Sequence, residues 1–146
     1  TDLNKIKRGD LIDKKARAPL AKLNLDYGHG TGHGVGFFSN VHEGPQALSK
    51  FNSVELKEGM IVSNEPGYYE EGKFGIRIEN LIYIEKDKNK LKFRNLTMAP
   101  IDKDLIKNKL LSSSEKKYLF NYNFEVYKNI YKYLSKNERN WLINSI

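Results

Sequence analysis

Cysteine is absent from the 146 residues, so the chain can form no disulfide and offers no thiolate to a metal. That suits a reducing compartment, and it leaves His, Asp and Glu as the side chains able to hold a metal ion. Long apolar runs are missing too: none approaches the roughly 20 residues a membrane helix needs, and the N-terminus has no signal-peptide stretch. A membrane is therefore excluded as a partner, and a soluble, cytoplasmic protein is expected. Acidic runs are lacking, and the formal charge is +7. The lysines, however, are spread along the chain among Asp, Glu and Asn, which describes a solvated surface rather than a nucleic-acid face. With 39% apolar and 29% charged residues, the chain has material for one globular domain plus a small appendage.

Histidine is scarce as well, and its placement is informative. All three, His29, His33 and His42, fall between Tyr27 and Pro45, in YGHGTGHGVGFFSNVHEGP. Gly28, Gly30, Gly32, Gly34 and Gly36 alternate through the first half of this stretch. Glycine loses the most backbone entropy on folding, so this run implies that something approaches the backbone closely. If the stretch is extended, His29, Thr31, His33 and Val35 share one face. Phe37, Phe38 and Val41 are expected to return the chain to a core, and His42-Glu43-Gly44-Pro45 reads as a turn exposing an imidazole.

Upstream, Leu11, Ile12, Ala16 and Leu20 recur at helical spacing, with Asp10 as the expected N-cap and Pro19 expected to break or end the helix. Downstream, a turn at Leu56–Gly59 leads to a short strand ending at Asn64-Glu65-Pro66, where the proline keeps Glu65 out of the helical region. Gly75 to Ile84 reads as one continuous strand, with Arg77 and Glu79 on a common face. Residues 86–90 form a polar turn, and 91–98 a returning strand. Beyond Pro100 the pattern is helical, capped at Ser112 to Ser114, with an aromatic series from Tyr118 to Trp141 that reads as core or interface.

The residues that carry chemistry are His29, His33, His42, Glu65 and Glu79. Imidazole and carboxylate are the ligands for zinc, manganese, cobalt or iron where thiolate is missing, and a two-metal hydrolytic site needs carboxylates that bridge.

The blocks GHGTGHGVG, NVHEGP, SNEPGYY and GIRIEN occur in an order and spacing that resemble the Xaa-Pro aminopeptidases of the pita-bread metallopeptidase superfamily, most closely their eukaryotic cytosolic type. The segment LIDKKARAPL and the aromatic C-terminus extend the resemblance over nearly the whole chain. It implies an α+β fold: part of a pita-bread domain, with a curved, mainly antiparallel sheet and covering helices over residues 1–100, and a C-terminal helical extension over 101–146. It also implies roles. His33 and Glu65 match ligands of one metal, and Glu79 matches the glutamate bridging two. His29 and His42 match histidines lining the substrate pocket, His42 near the scissile group, and Arg77 matches an arginine beside the metal glutamate. Tyr68 and Tyr69 either wall that pocket or pack structurally. The implied cofactors are two divalent ions, manganese first, with zinc and cobalt as alternatives. The implied substrate is a peptide with proline in second position, and the implied assembly is a homodimer.

One departure qualifies this. The family site needs two further aspartates upstream, and none of Asp2, Asp10, Asp13 or Asp26 lies in such a motif. The chain therefore reads as the C-terminal portion of a longer enzyme, inactive alone, whose partner is the rest of the catalytic domain. Prolidase and methionine aminopeptidase share the implied fold, and non-catalytic pita-bread binding modules are a further alternative.

Overall fold

The computed structural model describes residues 2–38 and 40–146. They fall into two compact units, Thr1–Thr97 and Met98–Ile146.

The first unit opens with helix α1, Gly9–Ala21. Asp10 is not its N-cap. The capping position is Arg8, which makes no side-chain cap, and the free amides are taken by carbonyls of a distant segment, Gly9 N–H by Val54 (3.1 Å) and Asp10 N–H by Asn52 (2.7 Å). Asp10 lies in the first turn, where its carboxylate accepts from the Leu11 amide and from Arg8. Pro19 does not end the helix either. It lies inside, and the helix stops two residues later, where Asn24 takes a left-handed conformation (φ 56°) and the Leu25 amide returns to the Leu20 carbonyl.

Short strands follow: β1 Gly32–His33, β2 Ala47–Leu48, β3 Ile61–Asn64, β4 Gly67–Glu70, β5 Phe74–Arg77, β6 Asn80–Asp87 and β7 Lys90–Asn95. All their pairings are antiparallel, in sheets β1-β2, β3-β6-β7 and β4-β5. Residues 88 and 89 connect β6 to β7, a tighter turn than the five-residue one expected, with Lys88 left-handed (φ 57°). The core is Leu3, Ile12, Leu48, Leu56, Val62, Ile82 and Ile84, so α1 packs through Ile12 against residues of β2, β3 and β6.

Two expectations fail here. Phe37, Phe38 and Val41 do not enter a core: they are 97%, 83% and 68% exposed. The strand expected from Gly75 to Ile84 is two strands in different sheets, interrupted at Ile78 and Glu79.

The second unit holds α2, Ser113–Ile130, and α3, Lys136–Ser145. Each begins with a reciprocal capping box, Ser112 with Glu115 and Ser135 with Glu138. A 3₁₀ turn at Tyr131–Tyr133 separates them. Tyr122, Val126 and Leu142 are buried, and the Tyr122 hydroxyl donates to the Ala99 carbonyl (2.5 Å). Phe120, Phe124, Tyr133 and Trp141 are exposed.

Candidate metal centre

Three backbone segments converge on the site. The first runs antiparallel to β3: Gly34 pairs with Val62, the Val35 amide donates to Ile61 O (3.3 Å), and the Glu65 amide donates to Thr31 O (2.7 Å). The second is β3 continuing through Glu65 and Pro66 into β4. The third is β5 continuing through Ile78 and Glu79 into β6. The registers on either side of the gap agree, Asn64 with Asn80 and Gly67 with Arg77. Carried across, they set Pro66 opposite Ile78 and Glu65 opposite Glu79. The Ile78 amide does donate to Pro66 O (3.3 Å), but Pro66 has no N–H to return. That missing donor is the physical reason the strand divides.

Two glycines let these segments meet. A Cβ on Gly32 would lie 1.9 Å from Ser63 O, and one on Gly34 would lie 2.0 Å from Glu43 O. The close approach implied by the glycine run is thus made, at these positions, by the chain's own backbone.

Glu65 is only 8% exposed. Its Oε1 accepts from the Ser63 hydroxyl (2.8 Å), whose oxygen in turn accepts from the His33 amide (2.9 Å). Its Oε2 accepts from Arg77 Nη1 (3.1 Å). Against Oε1, at 3.3 Å, stands His33 Nε2. His33 Nδ1 lies 2.9 Å from Gly34 O, an atom that can only accept, so Nδ1 carries a proton. In neutral His33 the Nε2 lone pair then faces a carboxylate oxygen. That arrangement calls for a cation between them, a proton or a metal ion. His42 is exposed, its ring centroid 4.0 Å from that of His33.

A second chain of contacts starts at His29. Its Nδ1 donates to Gly30 O (2.7 Å), so its Nε2 accepts from the Tyr69 hydroxyl (2.8 Å). Tyr69 accepts from Arg77 Nε (2.6 Å), and Arg77 closes the line onto Glu65. The hydrogen bond to Tyr69, followed by the charges of Glu65 and Glu79, holds the Arg77 guanidinium above its usual range. Tyr69 therefore does more than wall a pocket: it joins His29 to Arg77.

Four of the six expected site residues, His29, His33, Glu65 and Arg77, are joined in this way, and the His42 ring lies tilted by 41° against that of His33. Glu79 is exposed, and its carboxylate is not gathered in: among the described residues no three His, Cys, Asp or Glu side chains are close enough together to hold a metal ion. The donor pair itself, one imidazole nitrogen and one buried carboxylate, fits a borderline divalent cation.

Sequence reasoning overlooked Asp13, Arg17 and Thr31. Asp13, which lies outside the family's aspartate motif, is 1% exposed. Its Oδ1 accepts from the Thr31 hydroxyl (2.6 Å) and amide (3.2 Å), and its Oδ2 from Arg17 Nε (2.8 Å). The signal available was the i,i+4 spacing of Asp13 and Arg17.

Comparison with known proteins identifies the family. Residues 4–86 match the model of metallopeptidase family M24, and residues 89–146 match the C-terminal region of peptidase M24. A probable Xaa-Pro aminopeptidase P of Coprinopsis cinerea is 47% identical over 92% of this chain and 24% of its own length. One from Laccaria bicolor is 46% identical over 92% and 23%. Among solved structures, the X-prolyl aminopeptidase of Caenorhabditis elegans, described as a cytosolic enzyme with a di-nuclear active site, superposes with a TM-score of 0.86 at 36% identity, over 94% of this chain and 24% of that one. The prolidase of Pyrococcus furiosus matches with a TM-score of 0.52 at 31% identity, over 60% and 25%. The chain thus spans about a quarter of the length of these relatives. Its fold is α+β and forms part of a pita-bread domain. With both family models covering nearly all of it, the chain belongs to metallopeptidase family M24.

Proposed function

We propose that this chain supplies one side of the catalytic centre of a two-metal Xaa-Pro aminopeptidase, which releases the N-terminal residue from peptides with proline in second position. The observation that carries the reading is the facing pair His33 Nε2 and Glu65 Oε1, an imidazole nitrogen 3.3 Å from an oxygen of a buried carboxylate. His33 and Glu65 would hold one ion. Glu79, set opposite Glu65 by the strand register, would reach toward both, and two aspartates from an upstream segment would complete the set. When bound, the ions acidify water and polarise the peptide carbonyl.

The chain's own residues do the rest. Ser63 and Arg77 fix the two oxygens of Glu65. His29, oriented by Gly30 and Tyr69, lines the pocket, and His42, exposed beside His33, handles a proton near the scissile group. We assign residues 1–100 to the catalytic domain and 101–146 to a helical extension, with the unit boundary at Thr97 and Met98 as support. Manganese as the metal, a homodimer as the assembly and the cytoplasm as the location belong to the same proposal. No described helix is long and apolar enough to cross a membrane. An aminopeptidase is favoured over prolidase because the relatives that are 46% and 47% identical over 92% of the chain are probable Xaa-Pro aminopeptidases, whereas the prolidase match is 31% identical over 60%.

In the longer protein containing this chain, His33→Ala should abolish manganese-dependent release of a residue preceding proline. Unchanged activity would remove His33 from the site. The 146-residue chain alone should show no turnover with added manganese, and robust cleavage by it would overturn the assignment of missing ligands.

A further inference from the structure

Beyond the site, the turn of α1 that carries Asp13 and Arg17 gathers a dense set of polar contacts. The two side chains are 1% and 14% exposed, so they are not a solvated surface pair. Their contacts fall on one short segment. Arg17 donates through Nε to Asp13 (2.8 Å), through Nη1 to Asp26 Oδ1 (2.6 Å) and Tyr27 O (2.8 Å), and through Nη2 to His29 O. Its guanidinium lies 3.9 Å from the centroid of the Tyr27 ring. Asp13 takes both the amide and the hydroxyl of Thr31. Thr31 has one hydroxyl proton and gives it to Asp13, so in the 2.5 Å contact between Tyr27 Oη and Thr31 Oγ1 the tyrosine is the donor. Burial, the dominant influence, pushes the Tyr27 phenol up, which keeps that donor protonated.

These anchors bracket His29: Asp26 and Tyr27 before it, its own carbonyl, and Thr31 after it. α1 has other attachments as well: the helix start is held by Asn52 and Val54 and its apolar side by Ile12 in the core. A guanidinium is suited to this task, since its planar fork can serve several acceptors in fixed directions where an ammonium cannot.

We propose that Asp13 and Arg17 are positioning residues that lock the backbone from Asp26 to Thr31, so that His29 presents Nε2 to Tyr69, at the edge of the substrate pocket, in a single tautomer. The proposal rests on the assignment of His29 to the substrate pocket, but its first test needs no activity. Long-range proton–nitrogen NMR of the labelled chain, recorded about two pH units above the usual imidazole range near 6.5, distinguishes the two neutral tautomers. In the wild type His29 should be in the Nδ1–H form. In Asp13→Asn and Arg17→Lys the minor tautomer should rise roughly threefold, as expected when the bias holding one state is relaxed. Asp10→Asn, on the same helix but with its side chain bonded to Arg8 and Leu11, should leave His29 unchanged. If either of the first two variants fails to fold, Asp26→Asn keeps the test open, because that side chain is 65% exposed and supplies a single anchor. It should move His29 in the same direction by a smaller amount.

The second arm uses the longer protein. Arg17→Lys should lower kcat on an Xaa-Pro peptide roughly tenfold with KM within about twofold, the signature of a misaligned pocket group rather than lost binding. Folded variants that keep His29 wholly in the Nδ1–H form overturn the proposal, as does an unchanged kcat. A wild-type longer protein that cleaves no Xaa-Pro peptide sinks the proposed function instead, while the tautomer result still decides the positioning role.

Discussion

Replacing Gly32 by alanine separates two explanations of the glycine run. If the glycines clear a path for substrate, Gly28→Ala and Gly32→Ala should both impair turnover and leave stability alone. The structure distinguishes them: a Cβ on Gly28 meets nothing within 4 Å, whereas one on Gly32 lies 1.9 Å from Ser63 O and 2.8 Å from Ser63 C. Both obstacles are backbone, so no side chain can swing aside. Restoring an ordinary contact of about 3.3 Å requires the two segments to separate by roughly 1.4 Å. That opens the Glu65 amide to Thr31 O bond, now 2.7 Å, and the His33 amide to Ser63 Oγ bond, now 2.9 Å, beyond hydrogen-bonding range. Two such bonds contribute about 2 kcal/mol, and overpacking adds about 2 kcal/mol, so Gly32→Ala should cost about 4 kcal/mol. Gly28→Ala should cost well under 1 kcal/mol. The assay is urea unfolding monitored by exchange of the Val62 and Ile84 amides, which report on the first unit alone. A Gly32→Ala midpoint equal to that of the wild type would refute the reasoning.

Three further outcomes are expected. Manganese titrated into the chain should broaden the His33 resonances before those of any lysine or of Glu115, and Glu65→Gln should suppress the effect; sharp His33 signals at saturating metal would dismiss the pair as ligands. Pro19→Ala should stabilise α1 by about 1 kcal/mol in urea melts, since it restores an amide donor inside the helix; no gain would mean that the local backbone is already adapted to proline. The Ser112 and Ser135 caps hold Glu115 and Glu138 below their ordinary value of 4.5, so their contribution is present above that pH and is lost as the pH falls through the lower folded values. Helicity followed by circular dichroism should decline in that acid window, and Ser112→Ala should shrink the decline; a decline starting at neutral pH would contradict the linkage.

Much of this architecture could be read from the chain. The helix before the histidines, the extended presentation of Glu65 and the cap at Ser112 follow from local rules, because each depends on neighbours within four residues. What failed depended on distant partners. The apolar alternation of Ile76, Ile78 and Ile82 suggests one strand, yet continuity is decided at Pro66, on the opposing strand, which has no amide to give Ile78. Likewise Phe37 and Phe38 look like core because phenylalanine usually is, but in this unit the core is filled by Leu3, Leu48, Leu56 and their neighbours.

The site divides along the same line. His33 and Glu65 stand out in sequence because imidazole and carboxylate have recognisable chemistry, and strand register then makes them diagonal neighbours, His33 opposite Ser63 and Glu65 two residues further on. Asp13 has equally plain chemistry and was passed over. The i,i+4 pair with Arg17 is what a solvated helix face would also show, and on such a face it would contribute only a few tenths of a kcal/mol. With Asp13 1% exposed the pair is no longer a surface pair, because removing Arg17 leaves a buried carboxylate without its counter-charge at a cost of about 3 to 5 kcal/mol. The difference comes from Thr31, eighteen residues away, whose amide and hydroxyl make burial of the carboxylate tolerable. A buried charge is therefore recognised by the donors that converge on it, and those donors are brought together only by the fold.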